Sequence, residues 1–118
     1  MSYDKNNIFA KILRGEIPCK KVYENDNVLA FHDINPQKKL HVLVIPKGEY
    51  VDLDDFNSKA SDKEIAEFSK AVSHVANLIG AKDKGYRSLT NIGNDGGQEV
   101  PHLHFHIFAG EKIGKMVN

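Results

Sequence analysis

The chain has 118 residues, 41% hydrophobic and 27% charged, which is typical of one folded domain. Its 16 basic and 16 acidic side chains cancel, so it lacks the basic excess of proteins that bind long nucleic acids. Cys19 is the only cysteine, which excludes an internal disulfide, and the longest apolar run, residues 42–45, is too short to span a bilayer. We predict a single cytoplasmic domain over residues 1–118 that binds neither membrane nor long nucleic acid.

The first half of the chain predicts a short helix followed by three strands. Residues 7–14 carry apolar side chains at helical spacing, and Gly15 and Pro18 end the pattern. Strand-forming residues then fill segments 21–24, 28–33 and 41–45. The links between these strands are too short for helical crossovers, so we expect antiparallel pairing.

The second half predicts one long helix and two further strands. Residues 50–60 are polar and acidic, which is typical of a surface loop. Ser61 and Glu64 match a capping box, in which Glu64 reaches back to Ser61, and the apolar stripe that follows ends before Gly80. With strands at 86–92 and 102–108, the chain is predicted to be an α+β protein with an antiparallel five-stranded sheet, one long helix and one short helix.

The last predicted strand carries three histidines at alternate positions. His102, His104 and His106 would line one face, because successive strand side chains point to opposite sides. Imidazole titrates near neutral pH, so this arrangement indicates proton transfer or nucleophilic attack. A metal site is an alternative. One flat strand spaces its outer two histidine Cα atoms about 13 Å apart, so a metal ion would take two of the three and a third ligand from His41 or Glu99.

Residues 93–99 precede this strand and include three glycines. Such a segment can form a phosphate-binding loop, aided by the amides of Asn91 and Gln98, or an ordinary hairpin turn. Asp33, at the end of the second strand, can accept hydrogen bonds from a ribose diol or simply begin a turn. His41 opens an apolar strand and is either a satisfied core residue or the partner of another histidine.

Several blocks together resemble the histidine triad (HIT) family of nucleotide hydrolases and transferases, and within it the branch of small nucleotide-binding phosphoramidases. The triad signature is His-x-His-x-His followed by two apolar residues, and residues 102–108 match it. Other blocks resemble that branch in the same order, namely residues 8–12 with 17–18, 29–34, 44–47 and 94–98. The resemblance covers roughly residues 7–112.

The resemblance implies a role for each candidate site residue. His104 would attack the α-phosphorus and become a transient nucleotidyl-histidine, with His106 at the phosphate oxygens and His102 and His41 as a supporting relay. Asp33 would bind the ribose hydroxyls. The purine pocket would be formed by Phe9, Ile12, Phe31 and His32. The residues around the phosphate would be Asn91, Gly97, Gln98 and Glu99.

The implied activity is hydrolysis of purine nucleoside 5′-phosphoramidates, derivatives of AMP or GMP, by a homodimer with a joint sheet and without a metal or other cofactor. A dinucleoside polyphosphate hydrolase, a nucleotide-binding regulatory or scaffold protein, and a metal-dependent hydrolase or oxygenase are the alternatives. The chain departs from the family pattern at Glu99, where serine is common, and at Pro101, where an aromatic residue is common. A serine hydroxyl could donate to the leaving group, whereas an ionised Glu99 only accepts hydrogen bonds and its charge repels phosphate.

Overall fold

Across residues 3–116, which the computed structural model describes, the chain forms three helices and one five-stranded sheet. In chain order the elements are α1 (Ile8–Leu13), β1 (Lys21–Glu24), β2 (Val28–His32), β3 (Leu40–Pro46), α2 (Leu53–Lys59), α3 (Asp62–Leu78), β4 (Arg87–Leu89) and β5 (Phe105–Ala109). All neighbouring strands are antiparallel, in the order β1-β2-β3-β5-β4. This confirms the predicted α+β class. The predicted domain limits, residues 1 and 118, lie outside the described residues.

The long helix α3 packs on one face of the sheet. Its N-cap Ser61 accepts the N–H of Glu64 at 3.1 Å, and Gly80, with φ of +75°, follows its C-cap. The other half of the predicted capping box is wrong, because the Glu64 carboxylate instead accepts a hydrogen bond from the hydroxyl of Tyr50 at 2.8 Å.

None of the helices described between residues 3 and 116 is long and apolar enough to cross a bilayer.

The short helix α1 packs on the opposite face, which carries the candidate site. Asn7 caps it by accepting the N–H of Ala10 at 2.9 Å. Below α1 lies a second apolar cluster, formed by Phe9, Leu29, Phe31, Leu43 and Ile45 and flanked by Ile12, Leu13, Cys19 and Val100. This cluster holds α1 against the sheet beside the histidines.

One predicted loop and the limits of two predicted strands are wrong. The segment predicted as a surface loop contains α2, which is capped by Asp52 and anchored by the buried Phe56. β4 is shorter than predicted, and β5 begins at Phe105 rather than His102. The residues before Phe105 bond elsewhere: the N–H of Leu103 donates to the carbonyl of Tyr50 at 2.8 Å, in the loop that follows β3. The ladder with β3 therefore starts only where Phe105 faces Val44.

Candidate active site

Four histidines meet on the face that α1 covers. His41 is the second residue of β3, His106 lies in β5, and His102 and His104 lie in the extended segment just before β5. The ring of His106 lies 5.1 Å from that of His104 and 5.1 Å from that of His41, centroid to centroid. The apolar residues that alternate with the triad, Leu103 and Ile107, are buried in the opposite core. The predicted alternation therefore holds, although only His106 is in the hydrogen-bonded strand.

The ring of His104 is oriented by the backbone of His102. Its Nδ1 lies 2.7 Å from the carbonyl oxygen of His102. A carbonyl only accepts hydrogen bonds, so Nδ1 must carry the proton in the neutral ring and Nε2 keeps its lone pair. Phe9 packs against the ring at 4.9 Å between centroids, nearly perpendicular to it. His104 is thus a fixed neutral imidazole whose Nε2 is left unprotonated.

The rings of His41 and His106 form a second hydrogen-bonded pair. The backbone N–H of Gln37 donates to Nδ1 of His41 at 3.1 Å, which leaves the His41 proton on Nε2. That Nε2 lies 2.8 Å from Nδ1 of His106 and 3.4 Å from a carboxylate oxygen of Asp33. His41 therefore donates to His106, and His106 carries its own proton on Nε2, the nitrogen that His41 does not contact.

His102 supports the site from behind. It is fully buried, with Nε2 at 2.8 Å from the carbonyl of Pro46 and Nδ1 at 2.5 Å from the hydroxyl of Tyr3. Among residues 3–116, no hydrogen bond joins His102 to His41, so the relay of His102 with His41 expected behind His104 is not formed. His102 instead contacts His104 through its carbonyl, and His41 contacts His106.

All four imidazoles are shifted toward the neutral form. Burial lowers the pKa of His102 to about 4. Burial, reinforced by His104 and His41, lowers the pKa of His106 to about 4. Burial also lowers the pKa of His104 and of His41 below 6.5, although the charge of Asp33 opposes the shift at both and that of Glu99 opposes it at His104. The free site therefore presents uncharged imidazoles at neutral pH.

Asp33 and part of the predicted base pocket lie next to these histidines. One carboxylate oxygen of Asp33 accepts the N–H of Asn35 at 2.8 Å, and the other faces His41. Phe9 and Phe31 contact edge to face at 5.8 Å between centroids, and Ile12 borders their cluster. His32 does not join that cluster. It pairs across the strands with Val42, whose side chain belongs to the core on the α3 side, and is itself exposed.

The glycine-rich segment forms an exposed loop braced by Gln98. The amide nitrogen of Gln98 donates to the carbonyls of Val51 and Val100 at 2.7 and 3.0 Å, and its oxygen accepts the N–H of Gly93. Both amide protons are engaged, so the predicted use of the Gln98 side chain as a phosphate donor does not fit this structure. Gly97 has φ of +79°, a conformation that favours glycine. Asn91 is half-buried just after β4, and Glu99 is exposed.

One group could be considered for a metal ion. Within residues 3–116, Asp33, His41 and His106 each offer one ligand-type atom within 4.8 Å of the others. To bind a metal through Nε2, however, His41 needs its proton on Nδ1, and that nitrogen faces the Gln37 N–H. The nitrogens of His41 and His106 also face each other as donor and acceptor. These residues therefore do not fit a metal ion. Within the described part of the chain, neither His41 nor Glu99, the predicted third ligands, forms such a group with two triad histidines.

Three contributors to the site were not predicted from the sequence. Tyr3 bonds to His102, the backbone of Gln37 bonds to His41, and the hydroxyl of Thr90 donates to the carbonyl of His104 at 2.7 Å. A backbone N–H leaves no trace in residue identity, so Gln37 offered no signal. Tyr3 is 99 residues from His102 and Thr90 is 14 residues from His104, and neither residue type indicates a site by itself.

Comparison with known proteins shows the family of this chain. The HIT domain family model matches residues 14–113. A 13.2 kDa HIT-like protein of Azospirillum brasilense is 60% identical over 116 residues, covering 98% of this chain and 95% of the relative. A histidine triad protein from Clostridium difficile superposes with a TM-score of 0.83 at 44% identity, covering 97% and 98% of the two chains. A HIT family hydrolase from Clostridium thermocellum gives a TM-score of 0.88 at 36% identity, covering 98% and 99%. The chain belongs to the HIT family.

Proposed function

We propose that this protein hydrolyses purine nucleoside 5′-phosphoramidates through a covalent nucleotidyl intermediate on His104. The observation that carries the proposal is the bond from Nδ1 of His104 to the His102 carbonyl, which leaves Nε2 as a fixed lone pair. The structural relative from Clostridium thermocellum, named a HIT family hydrolase, supports hydrolysis as the general reaction. A neutral nucleophile can approach an anionic phosphate more easily than a negatively charged nucleophile, which the phosphate repels.

In the first step, Nε2 of His104 attacks the α-phosphorus and the phosphorus–nitrogen bond breaks. The departing amine needs a proton, and His106 is the adjacent group that can carry one. His106 is neutral in the free protein, but the negative charge of a bound phosphate raises its pKa. Proton uptake at Nδ1 of His106, which requires the N–H of His41 to turn away from that nitrogen when substrate binds, would thus supply the proton that the amine takes from Nε2. The positive charge that forms on His104 is stabilised by its bond to the His102 carbonyl.

In the second step, water attacks phosphorus and the bond to His104 breaks, which releases nucleoside monophosphate. His106, now neutral again, accepts the proton of the attacking water. Its Nε2 faces away from His41, because Nδ1 is the nitrogen that His41 contacts. His104 binds phosphorus in the first step and releases it in the second, and His106 donates a proton in the first step and accepts one in the second. Neither step requires a metal ion.

The nucleoside is bound by groups beside the histidines. Asp33 accepts hydrogen bonds from the ribose hydroxyls, and its fixed turn with Asn35 holds the carboxylate in place. The base packs at the apolar cluster of Phe9, Ile12 and Phe31, with His32 at the rim. The phosphate lies near the loop that includes Asn91, Gly97 and Glu99. An apolar pocket stacks either purine, so AMP and GMP derivatives are both expected substrates.

Glu99 favours an amine over a phosphate leaving group. Its carboxylate is exposed, and its charge acts on His104. When a dinucleoside polyphosphate is cleaved, the Glu99 carboxylate repels the departing polyphosphate because both are negatively charged. A leaving amine that carries a positive charge is instead attracted to the carboxylate. This observation ranks the phosphoramidase above the dinucleoside polyphosphate hydrolase, which would use the same His104.

In this proposal two copies of the chain form a homodimer with a longer joint sheet. β1 and β4 are the outer strands of the described sheet, and such edges carry unpaired backbone groups that can join a second chain. Sedimentation equilibrium tests this separately from activity. Twice the chain mass is expected, and a monomer at micromolar concentration would contradict dimerisation alone.

The activity is tested by comparing three substrates under the same conditions: adenosine and guanosine 5′-phosphoramidates and diadenosine tetraphosphate. We expect release of AMP and GMP from the phosphoramidates, slower cleavage of the tetraphosphate, and loss of all turnover in His104→Ala with AMP binding retained. Binding without turnover in the wild type would contradict hydrolysis and favour a nucleotide-binding regulatory protein. Faster cleavage of the tetraphosphate than of the phosphoramidates would favour the dinucleoside polyphosphate hydrolase over the phosphoramidase.

A further inference from the structure

Tyr3, in the segment that precedes α1, makes a hydrogen bond to the triad. Its hydroxyl oxygen lies 2.5 Å from Nδ1 of His102, and its ring stands edge-on to the imidazole at 5.6 Å between centroids. The family match covers only residues 14–113. Tyr3 therefore lies outside the segment that the family model matches.

The direction of this hydrogen bond follows from the other side of the ring. Nε2 of His102 faces the carbonyl of Pro46, which can only accept, so Nε2 carries the ring proton. Nδ1 then has a lone pair, and the Tyr3 hydroxyl must be the donor. Burial raises the pKa of Tyr3, so the hydroxyl keeps its proton at neutral pH. Because His102 has no exposed surface, water is poorly placed to replace this donor.

The same short segment contacts the triad a second time. Asn7 donates to the carbonyl of Asp4 at 2.7 Å and accepts the N–H of Ala10 at 2.9 Å, which ties the segment containing Tyr3 to α1. From α1, the ring of Phe9 packs on His104. Tyr3 on His102 and Phe9 on His104 thus belong to one hydrogen-bonded unit.

We propose that Tyr3 is a positioning residue, which holds the ring of His102 so that the carbonyl of that residue stays in place for the N–H of His104. Two fixed partners, the Tyr3 hydroxyl and the Pro46 carbonyl, hold the ring on opposite sides. Loss of one partner lets the ring and the backbone of His102 shift. The ring of His104, which bonds to that backbone, is then no longer oriented for attack on phosphorus. The kinetic part of this inference rests on the proposed hydrolysis, whereas the structural part does not.

The test substitutes Tyr3→Phe, which removes only the hydroxyl, beside Tyr86→Phe as a matched control at an exposed tyrosine. Nitrogen-15 NMR reads the histidine rings directly. In Tyr3→Phe we expect the His102 Nδ1 resonance to move toward that of an imidazole nitrogen without a donor. We also expect the ring resonances of His104 to shift, kcat to fall about tenfold and KM to stay within about twofold. Tyr86→Phe should match the wild type in the histidine ring resonances, in kcat and in KM.

Unchanged His104 resonances in Tyr3→Phe would overturn the proposal, whatever happens to kcat, because Tyr3 would then act on His102 alone. An unchanged kcat in an active protein would also overturn it. If the wild type hydrolyses no phosphoramidate, the proposed function fails while the His104 resonances still decide the positioning role. If Tyr3→Phe does not fold, the wild type suffices: a slowly exchanging Tyr3 hydroxyl proton coupled to His102 Nδ1 is expected, and its absence would contradict the bond.

Discussion

His41 donates a hydrogen bond to His106, and a backbone amide sets its direction. The two ring nitrogens lie 2.8 Å apart, and the Gln37 N–H occupies the other nitrogen of His41. A chain of donors therefore runs from the Gln37 amide through His41 to His106. It ends at Nε2 of His106, which carries a proton and is free to donate to a substrate phosphate.

This donor chain predicts that the site works without a metal ion, although Asp33, His41 and His106 form a group of the type that binds zinc. We expect EDTA to leave kcat and KM unchanged, and metal analysis of the purified protein to find less than about one-tenth of an equivalent of zinc or iron. Loss of activity with EDTA that added zinc restores would contradict the assigned His41 tautomer.

The buried His102 predicts a loss of stability in acid. Burial lowers its pKa from 6.5 in the unfolded chain to about 4 in the folded one, so between these values the unfolded chain binds more protons. Stability must then fall as pH drops from about 6.5 to about 4, by roughly 3 kcal/mol for this one residue. Urea unfolding across that range measures the fall. His102→Asn should show a smaller fall than the wild type, and equal falls would mean that His102 does not contribute.

Much of the fold could be predicted because its signals are local. The stripe of α3 and the turns between β1, β2 and β3 depend on residues close in sequence. α2 was missed because its segment has few apolar residues, and its stability comes from packing of Phe56 in the core. The start of β5 was misplaced because alternation predicts which side chains share a face. It does not predict where the backbone finds a neighbouring strand, and Leu103 bonds to Tyr50 instead.

For the site too, the sequence predicts features that depend on nearby residues and does not predict those that depend on the fold. The alternating triad predicts that His102, His104 and His106 share one face, whereas the roles of His41 and Asp33 follow from the resemblance to the HIT family. The sequence did not predict which partner each ring would find. The pairing of His41 with His106, and the use of the His102 carbonyl rather than its ring, depend on the relative placement of β3 and β5. Gln98 was expected at the phosphate for its amide, and the folded loop uses that amide to brace itself.

Asp33 is predicted to recognise the ribose. In Asp33→Ala we expect AMP to bind about tenfold more weakly and 2′,3′-dideoxy-AMP to bind nearly as in the wild type, because only AMP has the hydroxyls that donate to the carboxylate. Isothermal titration of both nucleotides measures this. Asp54→Ala, at an exposed acidic residue of α2, is the matched control. Equal weakening of both nucleotides in Asp33→Ala would refute the ribose contact.

Glu99 is predicted to discriminate between leaving groups by charge. Glu99→Gln keeps the shape of the side chain and removes its charge. We expect kcat/KM for diadenosine tetraphosphate to rise about fivefold, with little change for a phosphoramidate of a neutral amine, since only the polyphosphate is repelled. Asp95→Asn removes a charge from the same exposed loop and should change neither. A similar rise for both substrates would show that Glu99 acts on His104 rather than on the leaving group.

The covalent intermediate on His104 is the central claim, and intact-protein mass spectrometry after rapid quenching tests it most directly. The wild type, His104→Ala and His74→Ala are each mixed with adenosine 5′-phosphoramidate. His74 is an exposed histidine of α3 and serves as the matched control. We predict an adduct of the mass of one AMP moiety on the wild type and on His74→Ala, mapped to His104, and none on His104→Ala. An adduct that persists in His104→Ala, or turnover by the wild type without an adduct at any quench time, would contradict the account.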